Sequence, residues 1–96
     1  MLFVEYWELN PNFEPKKLAE AASKLLEKGE WPVPGIKLVG WYITPEYWGV
    51  TIFEAESEEA MLKDAIAWRA AVPGIFKVVK MATAMPAENV LPLVLK

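Results

Sequence analysis

The chain has 96 residues and a formal net charge of −3, with five tryptophans, one arginine, and neither histidine nor cysteine. That length makes one domain with one core. The missing residue types exclude disulfides, thiolate chemistry, imidazole-dependent metal sites and Ser/His or Cys/His nucleophile systems.

The chain opens directly into a strand-like run with no basic leader, so no signal peptide is expected. With zero cysteine this points to a cytoplasmic protein. Leu2–Leu9 is rich in β-branched and aromatic residues and predicts a strand ended by Asn10-Pro11-Asn12. Pro15 suits the first position of a helix, where its missing N–H costs nothing, and Phe13 and Leu18 have the spacing of a hydrophobic staple. Leu18, Ala22, Leu25 and Leu26 recur with helical period, lysines and glutamates cover the remaining face, and Gly29 suits the position after the helix end. Trp31–Gly35 is a stiff connector. Ile36–Ile43 and Trp48–Ala55 predict a hairpin around a turn at Thr44–Tyr47. Ser57 is a helix N-cap, with Glu58 and Glu59 at the positive end of the dipole. Met61, Leu62, Ala65, Ile66 and Val72 are expected to face inward. Arg69 suits the last turn, Pro73 stops the helix, and Ile75–Thr83 is the last strand.

Val33-Pro34-Gly35-Ile36 recurs as Val72-Pro73-Gly74-Ile75, each time between a helix and the next strand. Two βαβ units under the right-handed crossover rule predict an α+β, ferredoxin-like βαββαβ sandwich, a four-stranded antiparallel sheet with two helices on one face. Alternation divides the strand residues into two sets. Leu2, Val4, Tyr6, Ile36, Leu38, Gly40, Tyr42, Trp48, Val50, Ile52, Phe76 and Val78 are nearly all apolar and are expected under the helices. The other set contains Phe3, Glu5, Trp7, Lys37, Val39, Trp41, Ile43, Thr51, Phe53, Ala55, Lys77, Val79 and Met81. A solvent-washed face should be mainly polar, and this one is not. Burying a Trp or Phe is worth about 1.5–3 kcal/mol, so a second copy is expected to close over it by a two-fold axis.

The element order, the length, Trp68 in the second helix and the segment Phe53-Glu54-Ala55-Glu56-Ser57 before it resemble the dimeric α/β-barrel superfamily, in particular its small single-domain members, over about residues 1–83. The resemblance implies a homodimer, or a higher homo-oligomer, and a barrel pocket. It implies no single reaction, because its relatives include cofactor-independent monooxygenases, haem-degrading enzymes, isomerases and ligand-sensing domains. Haem-binding members present a histidine to iron and this chain has none, so no cofactor is expected.

Glu5, Lys37, Thr51 and Lys77 are the polar groups on the face expected to line the barrel. Glu5 is the candidate general base, its pKa raised by an apolar cavity, with a lysine to hold an oxyanion. The structural alternative pairs Glu5 with Lys37 or Lys77 across strands. Trp7, Trp41, Phe53 and Met81 would wall a flat apolar or aromatic ligand, or else fill the dimer interface as anchors. Glu54, Glu56, Glu58 and Glu59 offer oxygen ligands for Mg²⁺, but their place at a strand end and helix start reads as capping. Two functions result: small-molecule binding in a barrel cavity, with or without cofactor-free catalysis, and a non-catalytic association module with a filled core. Neither nucleic acid nor membrane is an expected partner. The acidic balance opposes phosphate-backbone contact, the basic-glycine-aromatic pattern of an RNA-stacking sheet is missing, and runs such as Leu38–Ile43 are too short to span a bilayer. The domain is placed at residues 1–85. Residues 86–96 form an apolar tail, barred by Pro92 from a central strand and expected to pack on its own body or on a partner subunit.

Overall fold

A computed structural model describes residues 1–95; Lys96, the end of the expected tail, lies outside them. The elements are β1 (Leu2–Leu9), α1 (Pro15–Glu27), β2 (Ile36–Ile43), β3 (Trp48–Ala55), α2 (Glu58–Ala71), β4 (Phe76–Thr83) and α3 (Ala87–Val94). The βαββαβ order builds one four-stranded antiparallel sheet, β2-β3-β1-β4.

Local chemistry accounts for the boundaries. Pro15 opens α1, and Gly29 closes it with φ +67°, a left-handed conformation that glycine adopts without a Cβ clash. The Ser57 hydroxyl accepts from the Ala60 N–H at 3.2 Å and caps α2. In the β2–β3 turn, Tyr47 takes φ +61°. It is held there because Leu9 N–H donates to its carbonyl at 2.8 Å and its hydroxyl donates to the Phe13 carbonyl at 2.9 Å. Both glycines of the repeated Val-Pro-Gly-Ile turn, Gly35 and Gly74, also have positive φ, so the repeat encodes the same turn twice.

In β1, β3 and the parts of β2 and β4 beyond their bulges, the sheet is turned over relative to the expectation from alternation, while Ile36, Leu38 and Phe76 lie on the helix side as expected. In β1 the buried residues are Phe3, Glu5, Trp7 and Leu9. They share the core with Leu25 of α1 and with Ala60 and Trp68 of α2. Val4, Tyr6 and Glu8, with their cross-strand partners Ile52, Val50 and Trp48, face away from the helices. Two bulges explain why strict alternation fails. One between Leu38 and Gly40 leaves Val39 without a partner, so Ile36 and Leu38 share the helix side with Trp41 and Ile43. The other leaves Lys77 unpaired between Phe76, opposite Leu9, and Val78, opposite Glu8. An extra residue in one strand switches the side on which all later residues project.

The buried face of α2 also differs from expectation. Ala60, Asp64 and Trp68, one helical turn apart, are buried, whereas Leu62 and Ile66 are 59% and 62% exposed. A third helix follows the βαββαβ core. Residues 87–94 of the tail form α3, which contains Pro92 and buries none of its residues.

Candidate functional site

A cavity of about 240 Å³ lies between the sheet and α1. Its floor comes from β1 and β3, through Glu5, Trp7, Leu9 and Thr51. Leu18, Ala19 and Ala22 of α1 face it, Trp41, Ile43, Tyr47, Trp68, Ile75 and Phe76 complete its lining, and it opens to solvent where Ala19, Trp41 and Ile43 are exposed. Ala19 and Ala22 leave room that larger residues would fill. Gly49 has a matching role on the floor: a Cβ there would sit 2.5 Å from the Trp7 ring and 2.1 Å from the Tyr42 carbonyl oxygen. Only glycine lets the indole lie across β3.

Among the described residues Glu5 is the one carboxyl side chain of the lining, and it is 4% exposed. Trp7 Nε1 donates to Thr51 Oγ1 at 2.9 Å. This occupies the hydroxyl as an acceptor and leaves its proton for the Glu5 carboxylate, the interaction that favours the ionised acid. Burial outweighs that help. Desolvation first, and then the nearby Asp64 carboxylate, push Glu5 up to about 7, against smaller pulls downward from Thr51 and Arg69. Asp64 is 1% exposed. Burial raises it to about 6 despite the Trp31 indole N–H, which donates to Oδ1. Its Oδ2 has no hydrogen-bond partner among the described residues. Two adjoining buried carboxyl groups thus titrate near neutrality, where a proton is gained or lost with little driving force either way.

The rings of Trp31, Trp41 and Trp68 form a cluster behind this pair, with centroids 4.7 Å (31–41), 5.3 Å (31–68) and 5.9 Å (41–68) apart. Trp41 remains 38% exposed at the cavity rim.

The residues expected to line a barrel divide into two groups. Glu5, Trp7, Trp41 and Thr51 meet around this cavity, within one chain and beneath the helices. The others stand apart. Phe53 stacks on Phe3 at 5.8 Å in a separate packed cluster. Met81 lies opposite Glu5 in the sheet register but outside the lining. Lys37 is exposed beside its cross-strand partner Glu54 on the other face, and Lys77 is exposed in its bulge. Neither lysine is a cross-strand partner of Glu5, which stands opposite Thr51 and Met81, so the expected cross-strand ion pair does not form. Asp64 and Ala19 escaped the sequence reading, because an aspartate in an acidic helix and an alanine off the periodic apolar face carry no distinguishing signal, whereas Ala22 was placed on that face without a role in a site. Among the described residues, no group of three or more His, Cys, Asp or Glu is placed to hold a metal ion, and no helix is long and apolar enough to cross a membrane.

No curated protein matches this chain. Among solved structures, the protein Atu4242 from Agrobacterium tumefaciens is similar, with a TM-score of 0.57 and 16% identity over 90% of this chain and 93% of that one. At that identity the likeness extends to the fold alone. The family described as "Domain of unknown function (DUF3303)" matches residues 1–91, and the chain belongs to that family.

Proposed function

We propose that this protein binds a compact apolar or aromatic molecule in the cavity between its sheet and α1, and that Glu5 exchanges a proton with the bound molecule. The observation that carries the reading is the cavity itself, about 240 Å³, aromatic-walled, with a single buried carboxyl group on its floor. An apolar cavity of about 150 Å³ accepts benzene, so this one suits one ring with a short substituent. A buried acid half-protonated near pH 7 is poised for general acid–base work.

Benzyl alcohol titrated against the tryptophan emission tests the reading. Saturable quenching or enhancement is expected in the native chain. It should be lost in Ala22→Phe, which fills the cavity, and weakened in the milder Ala19→Leu, with far-UV circular dichroism unchanged. Non-saturable changes in the native chain, or equal binding by the filled variants, would remove the reading.

A second reading rests on a different surface. The sheet face away from the helices carries Val4, Tyr6, Trp48, Val50, Ile52 and Val78, none of them covered by α1 or α2. Four strands of eight residues span about 500 Å² by strand spacing and rise, and the exposed apolar helix α3 adds to that. The sum approaches the roughly 800 Å² per partner of a standard interface. The proposed occupant is the same face of a second copy, closing the two sheets into a barrel. Cavity and open face lie on opposite sides of the sheet, so association and ligand binding do not compete.

A further inference from the structure

We infer that the ligand class of this cavity is a protonated organic amine with a small apolar or aromatic body, its ammonium seated against Glu5 and the indole faces. The inference deepens the proposed binding function and rests on it. Among the described residues, no lysine or arginine lines the cavity, and the single charged side chain of that lining is Glu5. An anionic ligand would place a second negative charge against a buried carboxylate. Above about pH 7, where Glu5 is mostly ionised, a neutral one would leave that carboxylate without a counter-charge in an apolar space. An ammonium supplies the missing charge. Trp7, Trp41 and Trp68 line the cavity, and indole rings attract organic cations, as in aromatic cages. Asp64, behind the wall with Oδ2 unpartnered, adds negative potential. The remaining polarity on the floor is the Trp7-to-Thr51 hydrogen bond, which orients the Thr51 proton toward Glu5 rather than toward the ligand.

The pH dependence follows from the groups around Glu5. Asp64 and Arg69 of α2 are the charged side chains acting on it, Thr51 of β3 donates to it, Met81 of β4 stands opposite, and the facing residues of α1 are uncharged. Protonation of Glu5 removes the charge that holds the ammonium, so amine preference should grow between pH 5 and pH 8.

Calorimetric titration of the full chain with benzylamine, benzyl alcohol and benzoate separates the possibilities. At pH 8 benzylamine is expected to bind about tenfold or more tighter than benzyl alcohol, with benzoate weakest. That preference should shrink at pH 5 and vanish in Glu5→Gln while benzyl alcohol binding persists. Should Glu5→Gln fail to fold, the pH comparison on the native chain decides alone. Benzyl alcohol binding as tightly as benzylamine at pH 8 would overturn the amine inference and leave the binding function standing. Binding of none of the three would overturn both.

Discussion

Glu5 and Asp64 are the residues at which this fold accepts an energetic cost. An unfolded glutamate loses its proton near pH 4.5, whereas Glu5 in the folded chain keeps it to about pH 7. Between those values the folded state holds a proton that the unfolded state has released, so stability falls as pH rises and levels off above the window. At 1.36 kcal/mol per tenfold, the full cost is about 3 kcal/mol. Glu5→Gln removes the ionisation. It should leave stability near pH 4 close to that of the native chain and raise it by about 3 kcal/mol at pH 8.5, as read from urea unfolding. An equal difference at both pH values would show that the charge was not the cause. Asp64 adds a similar decline starting lower, since it is raised from 3.8 to about 6. Buried carboxyl groups with pKa values raised this far mark a candidate binding or proton-transfer site.

At the scale of elements, α2 has an apolar residue at almost every position of two adjoining faces, and only one face is packed. Trp68 and Asp64 set the orientation: the first fills the space beside Trp31 and Trp41, and the second receives the Trp31 indole N–H. Leu62 and Ile66 are left in water. Leu62→Lys and Ile66→Lys should therefore change stability by no more than about 0.5 kcal/mol, whereas Trp68→Ala should cost about 3–5 kcal/mol. Denaturant titration of the three variants checks the assignment, and a loss above about 2 kcal/mol for Leu62→Lys would reverse it. The strands present the same ambiguity. β1 alternates between Phe3, Glu5 and Trp7 on one side and Val4, Tyr6 and Glu8 on the other, and neither set is distinctly polar.

For the whole molecule, the radius of gyration is 14.7 Å and the longest extent 49 Å, against about 12.5 Å for a compact chain of this length. A helix that buries none of its residues adds length without core, and α3 is such a helix. With the open sheet face, it is the surface that the proposed second copy would cover. Light scattering should then give twice the 10.9 kDa of one chain. Ile52→Lys and Val50→Lys, at the middle of that face, should return the mass to one chain with secondary structure retained, because a two-fold axis sets the new lysines against each other. Native material of single-chain mass at micromolar concentration would exclude the barrel.

The sequence by itself determined the elements and their order. Leu2–Leu9, Ile36–Ile43 and Trp48–Ala55 are strands at those bounds, Pro15 opens α1, Ser57 caps α2, and the repeated Val-Pro-Gly-Ile turn marks two equivalent units. These are local effects, set by proline's fixed φ, a side-chain hydrogen bond or glycine's freedom at positive φ, and each can be read from a few adjacent residues. The grouping of Glu5, Trp7, Trp41 and Thr51 on one side of the sheet was also legible, since it follows from register. Which side the helices cover was decided by tertiary structure alone. Both faces are apolar enough to be buried, and two bulges shift the alternation. Glu5 is tolerated inside because desolvation raises its pKa and keeps it protonated up to about pH 7, while Thr51 and Arg69 ease its ionised form, and those neighbours are in place only once β1, β3 and α2 have come together.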